Sequence, residues 1–199
     1  MSYLEDPKPI NPPCEVLRIN KRFNGAQTTV DRIDLVTGHA TPFYILHNND
    51  EKAIAVLHAD PRQQQMSDQA LGTAKLHSLS SKIDVVFRGM EFKMKGNSAG
   101  MGHDFDYMGV PYSWTLSRMS GSHSTIFFKD GSGRLLARWK KHPDGRFSSS
   151  KTPPTFEVYV PPQSIDMDMV IVTGLASIGY WVKDKKDTYE AVGEILGAV

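Results

Sequence analysis

Six basic side chains fall between positions 134 and 151 (Arg134, Arg138, Lys140, Lys141, Arg146 and Lys151), against a single acid, Asp144. This is a concentrated positive stretch in a chain whose formal net charge is only +1. In an extended strand, Arg134, Leu136, Arg138 and Lys140 share one face, while Leu135, Ala137 and Trp139 share the other. The first set is expected to point outward and the second into a core. A row of Arg and Lys on a sheet face can hold phosphate through charge-assisted hydrogen bonds, and Arg can engage it bidentately. Lys93 and Lys95, alternate residues of MEFKMK, share a strand face in the same way and could complete such a site. Anion binding is therefore the chemistry open to Arg134, Arg138, Lys140, Lys141, Lys93 and Lys95. The plainer alternative is a solvated strand face whose charges discourage edge pairing.

Other reactive residue types form no comparable pattern. The seven histidines include no H-x3-H pair, and none sits beside the cysteine at zinc-ligand spacing, so no metal is expected. His103-Asp104-Phe105-Asp106 is the densest group of potential ligands, but it follows a glycine-rich stretch and reads as turn and loop. GNSAGMG lacks the Gly-Lys-Ser/Thr ending of a phosphate-cradling loop and opens no helix. It reads as a long hairpin connection. Cys14 lies in a proline-flanked arm without an implied histidine partner, and there is no G-x-S-x-G elbow. LHADP, with His58 and Asp60, reads as the end of a strand and a turn. No catalytic residue, no cofactor and no enzymatic activity are expected.

The elements that must carry these residues are mostly strands. With 199 residues, 40% of them hydrophobic and 23% charged, the chain suits one globular domain with a substantial core. Twenty-three basic against 22 acidic residues argue against a nucleic-acid binder. One cysteine excludes an intramolecular disulfide framework. The start, MSYLEDPKPINPP, lacks the basic and apolar regions of a signal peptide, so an intracellular, cytoplasmic location is expected, peripheral to a membrane where an anionic surface is bound. Its prolines predict an extended, flexible arm over residues 1–14, before a single domain over 15–199.

Short apolar runs then recur between turn signals: VLRI, TPFYIL, KAIAVL, LGTAKLHS, KIDVVF, MEFKMK, YSWTLS, STIFF, RLLARW and TFEVYV. They are rich in β-branched and aromatic residues, and their spacing predicts an all-β sandwich or barrel. His47–Asp50 and Lys129–Gly133 read as hairpin turns. Residues 59–70, 96–109 and 142–154 read as longer polar loops.

Near the end, MVIVTGLASIGYWV (Met169–Val182) raises a separate question. A bilayer-spanning helix needs about 20 apolar residues, and these fourteen are too few. Read as a helix over about 166–183, the run is apolar on every face, as a helix buried all round would be. Asp166 and Asp168 complement its N-terminal partial charge and Lys183, Lys185 and Lys186 its C-terminal one. Ser164 or Asp166 can cap it. Against helix stand the β-branched Val170–Thr173 and Gly174, which leave two short strands as an alternative. DTYEAVGEILGAV carries one apolar stripe at helical spacing, predicting a second helix over about 187–198 that packs on the barrel or meets a protein partner or second copy.

Strands in this order, an extended TFEVYVPP and an Asp-opened apolar helix resemble the tubby C-terminal-like group. That group includes the phospholipid scramblases and the plant LURP-one-related proteins. GTAKLHSLSSKIDVVF, Tyr112-Ser113-Trp114, DGSGRLLARW and DMVIVTGLASI carry the likeness, and VIVTGLA resembles fungal members in particular. The resemblance spans roughly residues 41–182. It implies a closed antiparallel β-barrel of about twelve strands enclosing one hydrophobic C-terminal helix. It also implies phosphoinositide headgroup binding by basic side chains on the barrel wall. Scramblases carry a palmitoylated cysteine cluster ahead of the barrel, and here there is only Cys14; nor is there a D-x-D-x-D-G calcium loop. The function expected is a non-enzymatic binding module for an anionic phospholipid headgroup. The alternatives are a protein-interaction scaffold acting through the C-terminal helix, an enzyme or small-ligand carrier built on the polar loops at 96–109 and 142–154 and favoured by convergence of His103, Asp104 and Asp106, or a scramblase-like membrane-active protein.

Overall fold

The computed structural model of the chain describes residues 6–21, 28–50, 53–60, 70–77, 80–97, 102–117, 125–143 and 152–183. Its strands are β1 (Glu15–Lys21), β2 (Thr28–Ile33), β3 (Ala40–Asp50), β4 (Ala53–His58), β5 (Gly72–Leu76) and β6 (Lys82–Phe87), followed by β7 (Met90–Gly96), β8 (Gly102–Tyr107), β9 (Val110–Leu116), β10 (Thr125–Asp130), β11 (Leu135–Lys140) and β12 (Thr155–Val158). Each pairs antiparallel with its neighbours in sequence, and β1 pairs with both β2 and β12, so the wall closes on itself. Closure satisfies strand edges that an open sheet would expose. The α-helix α1 (Met167–Lys183) fills the interior. This is the twelve-stranded barrel around a C-terminal helix that the family resemblance implies.

Alternation explains the wall. In β6 the inward Ile83, Val85 and Phe87 are buried while Lys82 and Val86 are exposed. Two strands escaped the sequence reading. β2 has few large apolar residues, and its buried Asp31 is satisfied by hydrogen bonds from Asn20 Nδ2 (2.6 Å) and Thr29 Oγ1 (2.7 Å). The predicted loop over 96–109 is likewise corrected: Gly102–Tyr107 is strand β8, with His103, Phe105 and Tyr107 buried and Asp104 and Asp106 exposed. Aspartates at alternate positions lower strand propensity, but three aromatic rings aimed at one core outweigh that preference. His47–Asp50 is also strand rather than turn, since pairing continues to Asp50 opposite Ala53. The Asp130–Gly133 turn forms as predicted. Asp130 Oδ1 accepts from the Ser132 and Arg134 amides at 3.0 Å each, and Gly133 takes φ +82°.

Every residue of α1 from Asp168 to Gly179 is buried. Of the two candidate caps it is Asp166 that serves, its Oδ1 accepting from the amides of Asp168 (3.1 Å) and Met169 (3.3 Å). The Ser164 hydroxyl instead donates to the Pro161 carbonyl (2.7 Å). Burial on all sides overrides the weak helix propensity of Val170–Thr173, because tertiary packing of a helix outweighs tenths of a kcal/mol per residue, roughly. Thr173 is bonded twice over: its hydroxyl donates to the Met169 carbonyl (2.7 Å) and accepts from Trp114 Nε1 (3.0 Å). Among the described residues no helix is long and apolar enough to cross a membrane.

The predicted helix over 187–198 lies outside the described residues. Of the N-terminal arm, residues 6–14 are described, and contacts to the wall hold that stretch. The Cys14 amide donates to the Val158 carbonyl (2.7 Å), and the Ser117 hydroxyl donates to the Asp6 carboxylate.

Candidate functional site

The structure separates the six basic residues that the sequence groups together. Arg138 and Lys140 point outward from β11, as expected, with Ala137 and Trp139 buried behind them. Leu136 departs from that alternation and is buried, because a register shift in the β10–β11 pairing falls beside it: Phe128 faces Ala137, but Lys129 faces Leu135. Glu157, directly opposite Arg138 on β12, takes both cations. Its Oε2 lies 3.0 Å from Arg138 Nε and 2.5 Å from Nη2, and its Oε1 lies 2.9 Å from Lys140 Nζ. The Tyr159 hydroxyl donates to the same carboxylate, and the Arg138 guanidinium lies 5.5 Å from the Tyr159 ring centre. Burial works to raise the Glu157 carboxyl, but donors from Tyr159, Arg138 and Lys140 outweigh it and hold it below its ordinary value. Arg134 is held by Asp130, with Nε 3.1 Å from Oδ2. Lys141 follows β11 and is half-buried. Three described cations of the basic stretch, Arg134, Arg138 and Lys140, are thus each paired with an acid distant in sequence or across a turn.

Lys93 and Lys95 stand differently. Both are exposed on the outer face of β7, where Lys93 Nζ comes only to 3.9 Å of Asp84, itself taken by His77 Nε2 at 2.6 Å. They line a cleft of about 860 Å³ on the barrel wall. The cleft exists because β7 and β8 pair only at Lys95–Asp104 and Gly96–His103, and the strands part beyond those residues. Phe92, Phe105 and Tyr112, which alternation aims inward, are reached from outside through this seam. Phe92 stacks on Phe105 with ring centres 5.6 Å apart, forming an aromatic floor. Lys93 and Lys95 stand on one lip, with Asp104, Asp106 and Asp130 on the other. Desolvation pushes the Asp104 carboxyl above its ordinary value. It acts on Asp130 too, but hydrogen bonds from Ser132 and Arg134 outweigh it and hold that carboxyl low. Cations facing carboxylates over aromatic rings can take a ligand that carries both an anionic group and hydrogen-bond donors.

The strand alternation of β8 divides the His103-Asp104-Asp106 cluster. Asp104 and Asp106 face the cleft, while His103 is fully buried against α1, with Nδ1 3.4 Å from Ser177 Oγ and its ring 4.7 Å from that of Tyr180. Desolvation lowers its pKa from 6.5 to about 4. Between those two values the unfolded chain binds a proton that the folded one refuses, so this contribution is full above about pH 6.5 and is lost as pH falls towards 4. Urea unfolding at pH 7 and pH 5 is expected to show a loss of about 2 kcal/mol from this residue. His103→Leu should flatten that slope. An unchanged slope would mean that His103 is protonated in the fold.

A second polar cluster, which sequence reasoning did not find, seats the start of α1. Arg88 places Nη1 2.9 Å from Asp166 and Nη2 2.5 Å from Asp168, while the buried Tyr44 hydroxyl donates to Asp168 Oδ1 (2.7 Å). Burial, then the Asp168 charge, raises the Tyr44 pKa, so the phenol stays a donor. Its members come from a turn, a strand and the helix, and no local spacing reveals them. Among the described residues no group of three or more potential ligands could hold a metal.

No family model matches the chain, and no curated protein matches it. Among solved structures the chain is similar to an Arabidopsis thaliana protein determined by X-ray crystallography, at 12% identity and a TM-score of 0.45, covering 88% of this chain and 99% of that one.

Proposed function

We propose that this chain is a non-enzymatic binding module of the tubby C-terminal-like type, and that it holds an anionic lipid headgroup in the β7–β8 cleft. The carrying observation is that Lys93 and Lys95 are exposed together on one strand face and line a cleft. Arg138 and Lys140 serve Glu157 instead, and so support the wall rather than the ligand. On the opposite lip, Asp104 and Asp106 accept hydrogen bonds from hydroxyl groups, so a phosphorylated polyol headgroup would use both sides of the cleft. Bare phosphate would meet the carboxylates without any compensating donor. The separation of His103 from Asp104 and Asp106 by the barrel wall removes the convergence that would favour an enzyme.

Co-sedimentation with phosphoinositide-containing vesicles tests this reading. Each lysine near an anionic surface contributes about 1 kcal/mol, so Lys93→Gln/Lys95→Gln is expected to weaken binding by about 30-fold at low salt. Arg138→Gln/Lys140→Gln should lower the melting temperature but leave the binding of folded protein unchanged. Equal binding by wild type and Lys93→Gln/Lys95→Gln would remove the cleft from the mechanism. A loss confined to Arg138→Gln/Lys140→Gln would return the site to β11.

A further inference from the structure

Among the described residues, several large hydrophobic side chains stay exposed at one end of the barrel. Apart from Ile10 in the arm, those described are Leu35, Val36, Val86, Met90, Met108 and Val110. All lie in or beside the hairpin turns at the barrel end where α1 enters, the end marked by the Arg88 contacts to Asp166 and Asp168. Four belong to two adjacent hairpins, Val86 and Met90 to β6–β7, and Met108 and Val110 to β8–β9. These are the hairpins whose facing strands, β7 and β8, part to form the lysine cleft.

Met108 is the most informative of them. It is 77% exposed and takes φ +52°, followed by Gly109 at φ +78°. A turn with both central residues at positive φ favours Asn-Gly or Asp-Gly. Methionine is disfavoured there twice, by its backbone conformation and by its hydration, and its exposed side chain contributes little to the fold. An apolar side chain held at an apex against both preferences points to a use outside the folded chain.

We infer that the β6–β7 and β8–β9 tips insert into a membrane surface and hold the barrel end-on. On the headgroup reading above, this brings the Lys93–Lys95 cleft to the level of lipid phosphates. A protein partner fits the same tips poorly. A stable protein interface needs a contiguous face of about 800 Å² per partner. Here the apolar points flank a polar cleft, and covering them with a rigid surface would desolvate the exposed Glu91 and Asp106 beside them. The interfacial zone of a bilayer is fluid and hydrated; apolar side chains sink about 5–10 Å into it while neighbouring charges stay wet. Arg88 and Arg134 also flank the tips, but Asp166 and Asp168 hold the first and Asp130 the second, so neither is counted towards phosphate binding. Glu91 and Asp106 oppose an anionic surface, so binding should require both the tips and the lysines.

The test uses the full chain, phosphatidylcholine vesicles with and without a few per cent phosphatidylinositol bisphosphate, and soluble inositol trisphosphate. Met108→Asn should raise the melting temperature by about 2–4 °C, because it relieves the turn. Met108→Asn/Val110→Thr, folded by that criterion, should bind the anionic vesicles at least about tenfold more weakly, while its inositol trisphosphate affinity stays at the wild-type value. The emission of Met108→Trp should shift to the blue on adding the same vesicles. Wild-type vesicle affinity in the double variant, or no wild-type binding to any vesicle, overturns insertion. Vesicle binding that depends on the tips, in a protein that does not bind inositol trisphosphate, supports insertion and removes the headgroup reading alone.

Discussion

Asp168→Ala is expected to destabilise the protein by about 3 kcal/mol, with the loss read as a lower urea midpoint at unchanged slope. The Asp168 carboxylate meets several demands, besides that of the nearby His58 Nε2, 3.5 Å from its Oδ2. It accepts from the Tyr44 hydroxyl, whose residue is fully buried, and it receives Arg88 Nη2. It also lies in the first turn of α1, where a negative charge complements the partial positive charge of the helix N-terminus. Alanine leaves the Tyr44 hydroxyl without this acceptor inside the barrel, at a cost of about 1–3 kcal/mol. Arg88 is half-exposed and can turn to water, so its share is smaller. Asp168→Asn separates these terms. It keeps an acceptor for Tyr44 but loses the charge, and is expected to cost only about 1 kcal/mol. Equal losses for the two variants would mean that charge, and not the buried hydroxyl, seats the helix.

The second large effect is expected at Gly174. A Cβ there would stand 2.7 Å from Phe156 Cε1 and 2.9 Å from Trp114 Cζ2. Both rings are fully buried and neither can swing away as the end of a flexible chain would. Trp114 is further tied by the hydrogen bond from Nε1 to Thr173, so moving the indole strains that contact too. Helix propensity alone makes Gly→Ala favourable by about 1 kcal/mol, whereas overpacking costs about 1–3 kcal/mol. Gly174→Ala should therefore be mildly destabilising, and Gly174→Val should lose about 3 kcal/mol as the added methyl groups meet the same rings. A neutral or stabilised Gly174→Ala would show that the Trp114–Phe156 contact can open around the helix.

Much of the wall was legible because its signal is local. Ile83, Val85 and Phe87 alternate with polar or exposed neighbours, and Asp130-Gly131 marks a turn whatever lies around it. The strands that escaped were β2, which has few large apolar residues and buries Thr28, Thr29 and Asp31, and β8, which carries two outward aspartates. There the satisfied hydrogen bonds and the shared core decide, and neither appears in a short window of sequence. The bulge that buries Leu136 is a property of the β10–β11 pairing, so alternation along β11 alone could not predict it.

The candidate site was less legible for a related reason. Charge along the chain marked Arg138 and Lys140, but their partner Glu157 lies on the next strand, where only the Arg138–Glu157 register reveals it. Lys93 and Lys95 were visible as a pair, whereas the cleft that gives them a ligand-sized space comes from a seam between strands that stop pairing after two residue pairs. His103, Asp104 and Asp106 look like one cluster in sequence, and a strand sends them to opposite sides of a wall.

By itself, the sequence determined the all-β architecture, the number of cations and the enclosed helix, because hydrophobic period, composition and run length act locally and survive any particular arrangement. Tertiary structure alone decided which cations remain exposed, where the wall opens and which acid anchors α1. Those outcomes depend on pairing register and on contacts between residues far apart in the chain, where a carboxylate at 3 Å, roughly, outweighs any preference carried by neighbouring residues.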